Sequence, residues 1–257
     1  MQLYIYTVTA VFGLCIGSFL NVVIYRLPKG TFFANARSLC PSCGRQLSWF
    51  DLIPVFSWLA LRGQCRTCKA NISPRYLIVE LSAAGLAVGS LWRFGYTALS
   101  PLAFGALAIL LAVALIDLDT MEIPDALVIA LTPLAIAAIW AQPDVSWLSR
   151  VIGFFAVSLP MLGLTKLTDV WMGKEAFGGG DVKLIAVCGF LLGWQCVLAA
   201  MFIAILTGGG LSVYLLASGK SQRGAHIPFG PHLCFGVAAA LFWGRQAIDL
   251  YLGLFGI

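Results

Sequence analysis

Long apolar segments alternate with short polar turns along almost the whole chain. Such segments lie at residues 2–25, 76–93, 100–117, 124–141, 147–166, 182–193, 196–217 and 229–254. Because about 20 apolar residues in a helix cross the roughly 30 Å hydrocarbon core of a bilayer, most of these segments can span it. The pattern predicts an all-α polytopic membrane protein of about eight transmembrane helices, in which 182–193 is a short or tilted piece.

The composition excludes two broad classes of protein. Of the 257 residues, 60% are hydrophobic and 11% are charged, whereas a soluble domain is roughly 45–50% apolar and about 25% charged. A soluble globule of this size could not keep so much apolar surface away from water. Intrinsic disorder requires low hydrophobicity and high charge. The chain is therefore predicted to be neither a soluble enzyme nor a disordered protein.

The basic residues predict the topology. Half of the 16 Lys and Arg side chains lie in the polar segment 26–75, and the positive-inside rule places that segment in the cytoplasm and the N-terminus outside. Further bases then also face the cytoplasm: Lys166, Lys174, Lys183, Lys220 and Arg223. Only Arg93, Arg150 and Arg245 lie on the opposite side. The first span lacks a basic start and a cleavage site, so we expect it to be retained. No pattern of bases interleaved with aromatics favours nucleic acid.

Four cysteines in the polar segment have the spacing of a metal site. They form two Cys-x-x-Cys pairs separated by 21 residues: Cys40, Cys43, Cys65 and Cys68. Four thiolates spaced in this way can hold one zinc ion tetrahedrally, and Gly44 and Gly63 suit the tight turns that such knuckles need. Two disulfides are the alternative, which a reducing cytoplasm disfavours. The other cysteines are predicted to be small packing residues in apolar spans: Cys15, Cys188, Cys196 and Cys234.

Four acids and no base occupy the connection between the third and fourth predicted spans. They are Asp117, Asp119, Glu122 and Asp125. Acids at the edge of a membrane span are costly and usually functional, and Asp117 follows the apolar run directly. Asp119 and Asp125 compete with it for a catalytic role. They rank lower because Asp119 would point away from Asp117 on a helix and Asp125 lies beyond Pro124.

A further acid, Asp181, follows the glycines Gly178, Gly179 and Gly180. Taken alone, Asp181 is most simply a helix N-cap after a glycine-rich turn. The predicted topology, however, places Asp117 and Asp181 on the same side of the membrane. Two carboxylates brought together at one depth share a proton, so one can accept a proton from water while the other polarises a peptide carbonyl. This is aspartic-protease chemistry at a membrane boundary.

These motifs resemble those of the type IV prepilin peptidases, bacterial inner-membrane aspartic proteases of the GxGD class. Residues 17–28 resemble the opening motif of that family, residues 73–80 resemble the segment after its cysteine tetrad, and residues 228–231 are similar to its late Pro-Phe-Gly-Pro motif. The resemblance implies that Asp117, a short distance before an Ile-Pro pair, and Asp181, in a Gly-x-Gly-Asp motif, are the catalytic pair.

The resemblance also implies two reactions and their cofactors. The first removes a short basic leader from prepilins of type IV pili or pseudopilins of type II secretion. The second methylates the new N-terminal residue with S-adenosylmethionine. The presence of the zinc loop favours a protein that carries out both reactions. Glu80 and Gly63 are candidates for the methyl-donor site, although Glu80 also fits an ion pair with Arg75. The implied organisation is a first transmembrane helix at 1–25, a cytoplasmic zinc loop at 26–75 and a peptidase core at 76–257.

The residues also predict how the substrate is held. We expect Asp119 and Glu122 to attract the basic leader, and Gly178, Gly179 and Gly180 to let the scissile segment approach the backbone. Three alternatives stay open: a peptidase whose zinc loop is only structural, a transporter or proton channel with acidic relay residues, and an assembly protein whose loop docks partners. The lipid bilayer is a partner in every case.

Overall fold

The computed structural model describes residues 1–32, 37–172, 178–219 and 227–254. Lys174, Lys220 and Arg223, which enter the topology prediction, lie outside the described residues. The described residues are mostly helical and include no strand, only two isolated β-bridges in the polar segment. The helices are α1 (Gln2–Arg26), α2 (Phe56–Ala60), α3 (Arg75–Phe94), α4 (Leu99–Thr120), α5 (Asp125–Ala141), α6 (Trp147–Met172), α7 (Gly179–Leu192), α8 (Trp194–Ala217) and α9 (Gly230–Leu254), with one 3-10 turn at Trp49–Leu52.

The predicted all-helical membrane architecture is confirmed, with a smaller number of spans. Among the described residues, six helices are long and apolar enough to cross a membrane: α1, α3, α4, α6, α8 and α9. Helices α5 and α7 occupy two further predicted spans, but they have 17 and 14 residues. At 1.5 Å per residue these are about 26 and 21 Å long, less than a bilayer core. Of the about eight predicted spans, six therefore have the length and composition of a membrane span in the part of the chain that the structure describes.

The chain divides into two compact units, Met1–Phe104 and Gly105–Ile257, whose boundary falls within α4. The functional boundaries implied by the resemblance, after residues 25 and 75, stay a prediction. Each unit has its own closely packed helices, and each contains one of the two candidate sites described below.

In the first unit, α1 packs against α3 through glycines. A Cβ on Gly13 would lie 2.6 Å from the Cα of Ala84, and a Cβ on Gly17 would lie 2.6 Å from the Cα of Glu80. Only glycine permits such an approach of two helix backbones, the usual device in membrane proteins. Because Gly13 faces Ala84 and Gly17 faces Glu80, the two helices are antiparallel. The polar segment between them leaves and returns at the same end.

The second unit uses the same device at two helix crossings. A Cβ on Gly189 of α7 would lie 2.1 Å from the carbonyl oxygen of Gly153 in α6. A Cβ on Gly236 of α9 would lie 2.2 Å from the carbonyl oxygen of Ala200 in α8. These contacts fix α6 to α7 and α8 to α9 at van der Waals distance between backbones.

A fully buried arginine joins three helices of the second unit. Arg150, in the first turn of α6, donates hydrogen bonds to the carbonyls of Phe190 and Leu191 at 3.2 and 3.1 Å, and to those of Ala138 and Gln142 at 2.9 and 3.0 Å. These carbonyls lie at the C-terminal ends of α7 and α5, where a cation is favoured by the helix dipole. Arg150 therefore holds the ends of α5 and α7 to the start of α6.

Candidate active site and metal centre

Asp117 lies near the C-terminal end of α4 and is 5% exposed. Its Oδ2 accepts a hydrogen bond of 2.9 Å from the backbone N–H of Gly230, the first residue of α9. The N-terminus of a helix carries a partial positive charge that stabilises a carboxylate. A Cβ on residue 230 would lie 2.6 Å from this oxygen, so glycine is required there. The sequence identified the motif at 228–231 only by resemblance, and the structure gives its glycine a physical role.

Asp181 is the third residue of α7, which begins at Gly179 with Gly178 as its N-cap. The N-cap interpretation of Asp181 is therefore wrong, because the helix begins earlier than that interpretation requires. One oxygen of the Asp181 carboxyl, Oδ1, is buried and has no hydrogen-bond partner among the described residues. Buried polar atoms are nearly always satisfied in folded proteins, so this oxygen is free to bind a substrate group or water.

The glycines before Asp181 bring α7 close to the segment that follows Asp117. A Cβ on Gly180 would lie 2.8 Å from the Cβ of Ile123, six residues after Asp117. At Gly180 the close neighbour is thus Ile123, the predicted approach of a scissile segment to these glycines stays a prediction, and none of the three glycines adopts a positive φ. Position 180 needs glycine because a side chain there would collide with Ile123, and not because the backbone requires a positive φ.

The carboxyls of Asp117 and Asp181 lie close enough to interact electrostatically. The thiol of Cys234, on α9, is 4% exposed and lies within electrostatic range of both carboxyls. Sequence reasoning treated Cys234 only as a packing residue, and nothing in the pattern distinguished it from the other cysteines of apolar spans. Two poorly hydrated carboxyls that interact electrostatically disfavour each other's ionisation, and such a pair can supply both a base and an acid.

The other acids of the α4–α5 connection differ from Asp117 in exposure. Asp119 and Glu122 are exposed, as expected for residues that meet a soluble leader. Asp125 is also exposed, and its two oxygens accept hydrogen bonds of 2.8 and 3.0 Å from Nζ of Lys183. The geometry thus favours Asp117 over Asp125 as the partner of Asp181, because Asp117 is buried whereas Asp125 is exposed and bound to Lys183.

Two apolar cavities lie between α5, α6 and α7. The larger, about 430 Å³, is lined by residues such as Ile136, Trp147 and Phe190. The smaller, about 310 Å³, includes Lys183 and Asp125. Neither of these two cavities is lined by Asp117 or Asp181.

The polar segment folds around two knuckles of the same design. In the first, the N–H of Cys40 donates to the carbonyl of Arg45 at 2.9 Å, and Gly44 has a φ of 69°. In the second, the N–H of Cys65 donates to the carbonyl of Ala70 at 2.8 Å, and Lys69 has a φ of 58°. The turns expected at Gly44 and Gly63 are both present, since each has a positive φ, and Lys69 takes in the second knuckle the place that Gly44 has in the first.

The four cysteines of the knuckles meet at one point. Their Sγ atoms all lie within 4.8 Å of one another, with 3.8 Å between those of Cys40 and Cys68, and all are free thiols. Tetrahedral zinc with four Zn–S bonds of about 2.3 Å separates its sulfurs by about 3.8 Å. The donor set and its spacing therefore fit a zinc ion, and the disulfide alternative does not describe this arrangement.

The thiols are prepared to bind a cation. Hydrogen bonds from the backbone N–H groups of Cys68 and Thr67 lower the pKa of Cys65 to about 6. The N–H of Ala70 lowers the pKa of Cys68, but desolvation and the three neighbouring thiols raise it more, to about 11. Several thiolates cannot ionise together at this spacing without a positive charge, which Zn²⁺ supplies when bound.

A single carboxylate links the two knuckles. Asp51 accepts a hydrogen bond from Arg45, which follows the first cysteine pair. It accepts another, of 2.9 Å, from Nε of Arg66, which lies between the two cysteines of the second pair. Ser48 Oγ donates a third at 2.8 Å. Burial would raise the pKa of Asp51, but these hydrogen bonds and the charge of Arg45 hold it below its ordinary value. The carboxylate therefore acts as a cross-brace of the zinc loop.

The two candidates for the methyl-donor site have structural contacts. Glu80 is 8% exposed, and its Oε2 accepts a hydrogen bond of 2.7 Å from the N–H of Val55. Gly63 has a φ of 68°, and a Cβ there would lie 2.9 Å from the indole of Trp58. Neither contact points to a cofactor, and the ion pair of Glu80 with Arg75 stays a prediction.

Comparison with known proteins agrees with these observations. Residues 11–94 match the bacterial Peptidase A24 N-terminal domain, and residues 104–213 match the type IV leader peptidase family. No solved structure matches the chain. The first match contains the cysteine tetrad, and the second contains Asp117 and Asp181.

Curated relatives cover nearly the whole chain. Proteins named prepilin leader peptidase/N-methyltransferase from Pseudomonas aeruginosa, Stutzerimonas stutzeri and Legionella pneumophila are 37%, 36% and 34% identical to it. The alignments cover 96%, 94% and 97% of this chain and 93%, 92% and 95% of those proteins. The fold defines a helical membrane protein with a cluster of four cysteines that could bind zinc. The chain belongs to the type IV leader peptidase family.

Proposed function

We propose that the chain removes the basic leader from type IV prepilins or pseudopilins with Asp117 and Asp181, and methylates the new N-terminal residue. Family membership and the names of the relatives support the reaction. The observation that carries the proposal is the pairing of a buried Asp117, held by the Gly230 N–H, with an Asp181 oxygen that has no partner among the described residues.

The two aspartates have different surroundings and therefore different roles. The Gly230 N–H and the start of α9 favour the charged form of Asp117, so the shared proton rests on Asp181. Asp117 accepts a proton from a water molecule as the oxygen of that water attacks the scissile carbonyl carbon. Asp181 gives its proton to the carbonyl oxygen. Asp117 then gives its proton to the leaving nitrogen as the C–N bond breaks, and Asp181 takes back a proton from one hydroxyl of the tetrahedral intermediate as the carboxyl group forms, which leaves one proton on the pair.

The surface next to this pair suits a basic, extended leader. Asp119 and Glu122 are exposed near the end of α4 and attract cationic side chains. Gly178 and Gly179 are exposed too, and at Gly179 a Cβ would meet nothing within 4 Å. An extended peptide can therefore approach the backbone before Asp181 without meeting side chains.

Methyl transfer is proposed from the names of the relatives and from the zinc loop that matches their N-terminal domain. S-adenosylmethionine supplies the methyl group to an amine nitrogen. Because Glu80 is engaged by Val55 and Gly63 by Trp58, no step is assigned to them. A peptidase with a structural zinc loop is the second candidate, favoured by the structural contacts of Glu80 with Val55 and of Gly63 with Trp58.

The cysteine tetrad is proposed to hold zinc through its four thiolates, with Asp51 fixing the two knuckles around it. The ion stabilises the fold of the loop, and the hydrolysis proposed above is assigned to the two aspartates. The protein is proposed to reside in the bacterial inner membrane, with the N-terminus in the periplasm and the zinc loop in the cytoplasm, on the basis of its distribution of basic residues.

Co-expression with a prepilin, followed by intact-mass measurement, tests the function. The proposal expects loss of the leader together with a gain of about 14 Da, one CH₂ group, at the new N-terminus. Leader loss without that gain would leave the peptidase-only candidate. An unprocessed prepilin would contradict the proposal, and ion flux through the purified protein in liposomes would then support a transporter.

A further inference from the structure

A hydrogen bond holds the middle of the zinc loop beside the second turn of α3. The N–H of Val55, in the middle of the loop, donates to Oε2 of Glu80 at 2.7 Å. Glu80 lies five residues into α3, about 7.5 Å along the helix axis. The middle of the loop therefore passes beyond the first turn of α3 instead of standing clear of it.

This position lies at the surface of a bilayer. Helix α3 has 20 residues, about 30 Å at 1.5 Å per residue, which only matches the hydrocarbon thickness. Its first turns must therefore lie at the boundary with the headgroups. On the other helix, Asn21 Nδ2 donates to the carbonyl of Tyr76 at 3.1 Å, so the end of α1 is at the same level.

The backbone of the loop takes a rare conformation to reach this depth. Val55 has φ 64° and ψ −55°, and the N–H of Phe56 donates to the carbonyl of Pro54 at 2.6 Å. This is a tight turn of three residues that a β-branched residue adopts only when its surroundings impose it. In this conformation the N–H of Val55 is directed to the carboxylate of Glu80.

The residues on both sides of this turn expose apolar side chains. Trp49 and Phe56 are each 68% exposed. The apolar segment, as we term residues 49–59, has further exposed members: Phe50, Leu52, Ile53 and Leu59. Trp58 is different, because its Nε1 donates to the carbonyl of Ile72 at 3.2 Å and its ring packs inward. Exposed apolar groups at this density mark a surface that is covered by something.

The charge of the loop identifies what covers it. Between α1 and α3 the chain has six bases and one acid, Asp51. That carboxylate is 4% exposed and already bound by Arg45 and Arg66. The loop therefore presents bases and no exposed acid next to its apolar segment, the combination that binds anionic lipid headgroups.

We propose that the apolar segment inserts into the interfacial layer of the membrane that α1 and α3 cross, with the bases of the loop on anionic headgroups. The partner is lipid because the Val55–Glu80 hydrogen bond fixes the segment at headgroup depth, where aromatic side chains are preferred. The zinc loop is thus an interfacial module anchored at both ends and in its middle.

The test uses the full-length protein labelled with 5-fluorotryptophan in lipid nanodiscs, with the Trp49 resonance assigned by Trp49→Phe. The proposal expects that doxyl-labelled lipid broadens the ¹⁹F resonance of Trp49 beyond detection and that a water-soluble gadolinium chelate leaves it visible. The broadening by doxyl lipid should be larger in nanodiscs of phosphatidylglycerol than in nanodiscs of phosphatidylcholine. Trp58 is the internal reference and should respond weakly to both reagents.

Two variants keep the test specific. Phe56→Ser removes an exposed apolar group and should reduce the broadening of Trp49 by doxyl lipid. Leu39→Ser, at a residue of the same loop that is 50% exposed and lies outside the apolar segment, should leave it unchanged. Broadening by gadolinium and not by lipid would overturn the proposal. Protection from gadolinium that appears only when a prepilin is added would overturn it too, in favour of a protein-binding surface.

Discussion

At the scale of single residues, Asp51 shows how one side chain organises a loop that has little core of its own. It lies between Arg45 and Arg66, which belong to different knuckles. Because its carboxylate is 4% exposed, removing its charge leaves two guanidinium groups without their shared acceptor.

We predict that Asp51→Asn weakens retention of zinc. The arginines are 31% and 53% exposed, so solvent screens the loss, and we expect a cost of about 1–2 kcal/mol. Zinc release to a chelator at neutral pH, followed with a chromogenic indicator, should be faster than in the wild type. Asp144→Asn, which breaks an exposed ion pair with Arg245, is the matched control and should release zinc at the wild-type rate. Equal rates for both variants would contradict the role of the cross-brace.

The same carboxylate predicts a dependence on pH. Since its pKa is lowered in the folded loop, Asp51 contributes stability above its unfolded value of about 3.9, and that contribution is lost as the pH falls below it. The difference in loop stability between wild type and Asp51→Asn should therefore shrink below about pH 4, as measured by limited proteolysis across a pH series. A difference that persists at lower pH would contradict this.

Single residues differ in how well the sequence predicts them. Asp117, Asp181 and the four loop cysteines are recognisable because acids at span edges and paired Cys-x-x-Cys motifs are rare in apolar chains. Asp51 and Gly230 are not, because their partners lie elsewhere in the chain or on the backbone. Arg150 looks like an exception to the positive-inside rule, yet its charge is matched by four helix-end carbonyls.

At the scale of elements, the start of α9 is what shapes the site around Asp117. The carboxylate needs the first N–H of that helix at 2.9 Å and no side chain in between. The position of α9 relative to α4 is therefore set by contact between a backbone and a carboxyl group.

We predict that Gly230→Ala reduces the rate of leader cleavage by about 10²-fold, because the added methyl group displaces the carboxylate by a fraction of an ångström or more. Cleavage of a purified prepilin, followed by gel or mass spectrometry, measures this. Gly209→Ala, in α8, is the matched control, since a Cβ there would meet nothing within 4 Å. Unchanged cleavage by Gly230→Ala would show that the N–H contact does not serve catalysis.

The helices could be predicted from the sequence more completely than the connections. Eight apolar segments mark eight helices, and the glycine at 193 marks the end of the short α7. The loop is different: its 3-10 turn, α2 and the strained Val55 depend on Glu80 and Asp51, which no local pattern relates to them. The close crossings at Gly153 and Gly189 are equally invisible, because a glycine in an apolar helix gives no sign of its partner.

At the scale of the whole molecule, the zinc loop and the helices differ in what holds them together. The zinc loop depends on metal ligation, whereas the helices of both compact units are held by backbone approach at glycines. We therefore predict that a strong chelator opens the loop and spares the helices. Limited proteolysis should then cut within residues 27–74 while far-UV circular dichroism changes little. A large loss of helical signal would contradict the separation.

The topology is a second prediction at this scale. With the N-terminus outside, a membrane-impermeant maleimide should label Gln2→Cys in intact spheroplasts. Gln64→Cys, an exposed position in the loop, should be labelled only after permeabilisation. The reverse pattern would place the zinc loop on the other side, against the distribution of basic residues.

The central claim is that Asp117 and Asp181 act together on the peptide bond, and it is tested most directly by the cleavage rate of a purified prepilin in nanodiscs. We predict that Asp117→Asn and Asp181→Asn each reduce the rate by about 10³-fold or more, while Asp144→Asn stays within about twofold of the wild type. Circular dichroism establishes that all three variants are folded. Cleavage at the wild-type rate by either of the first two would contradict the account.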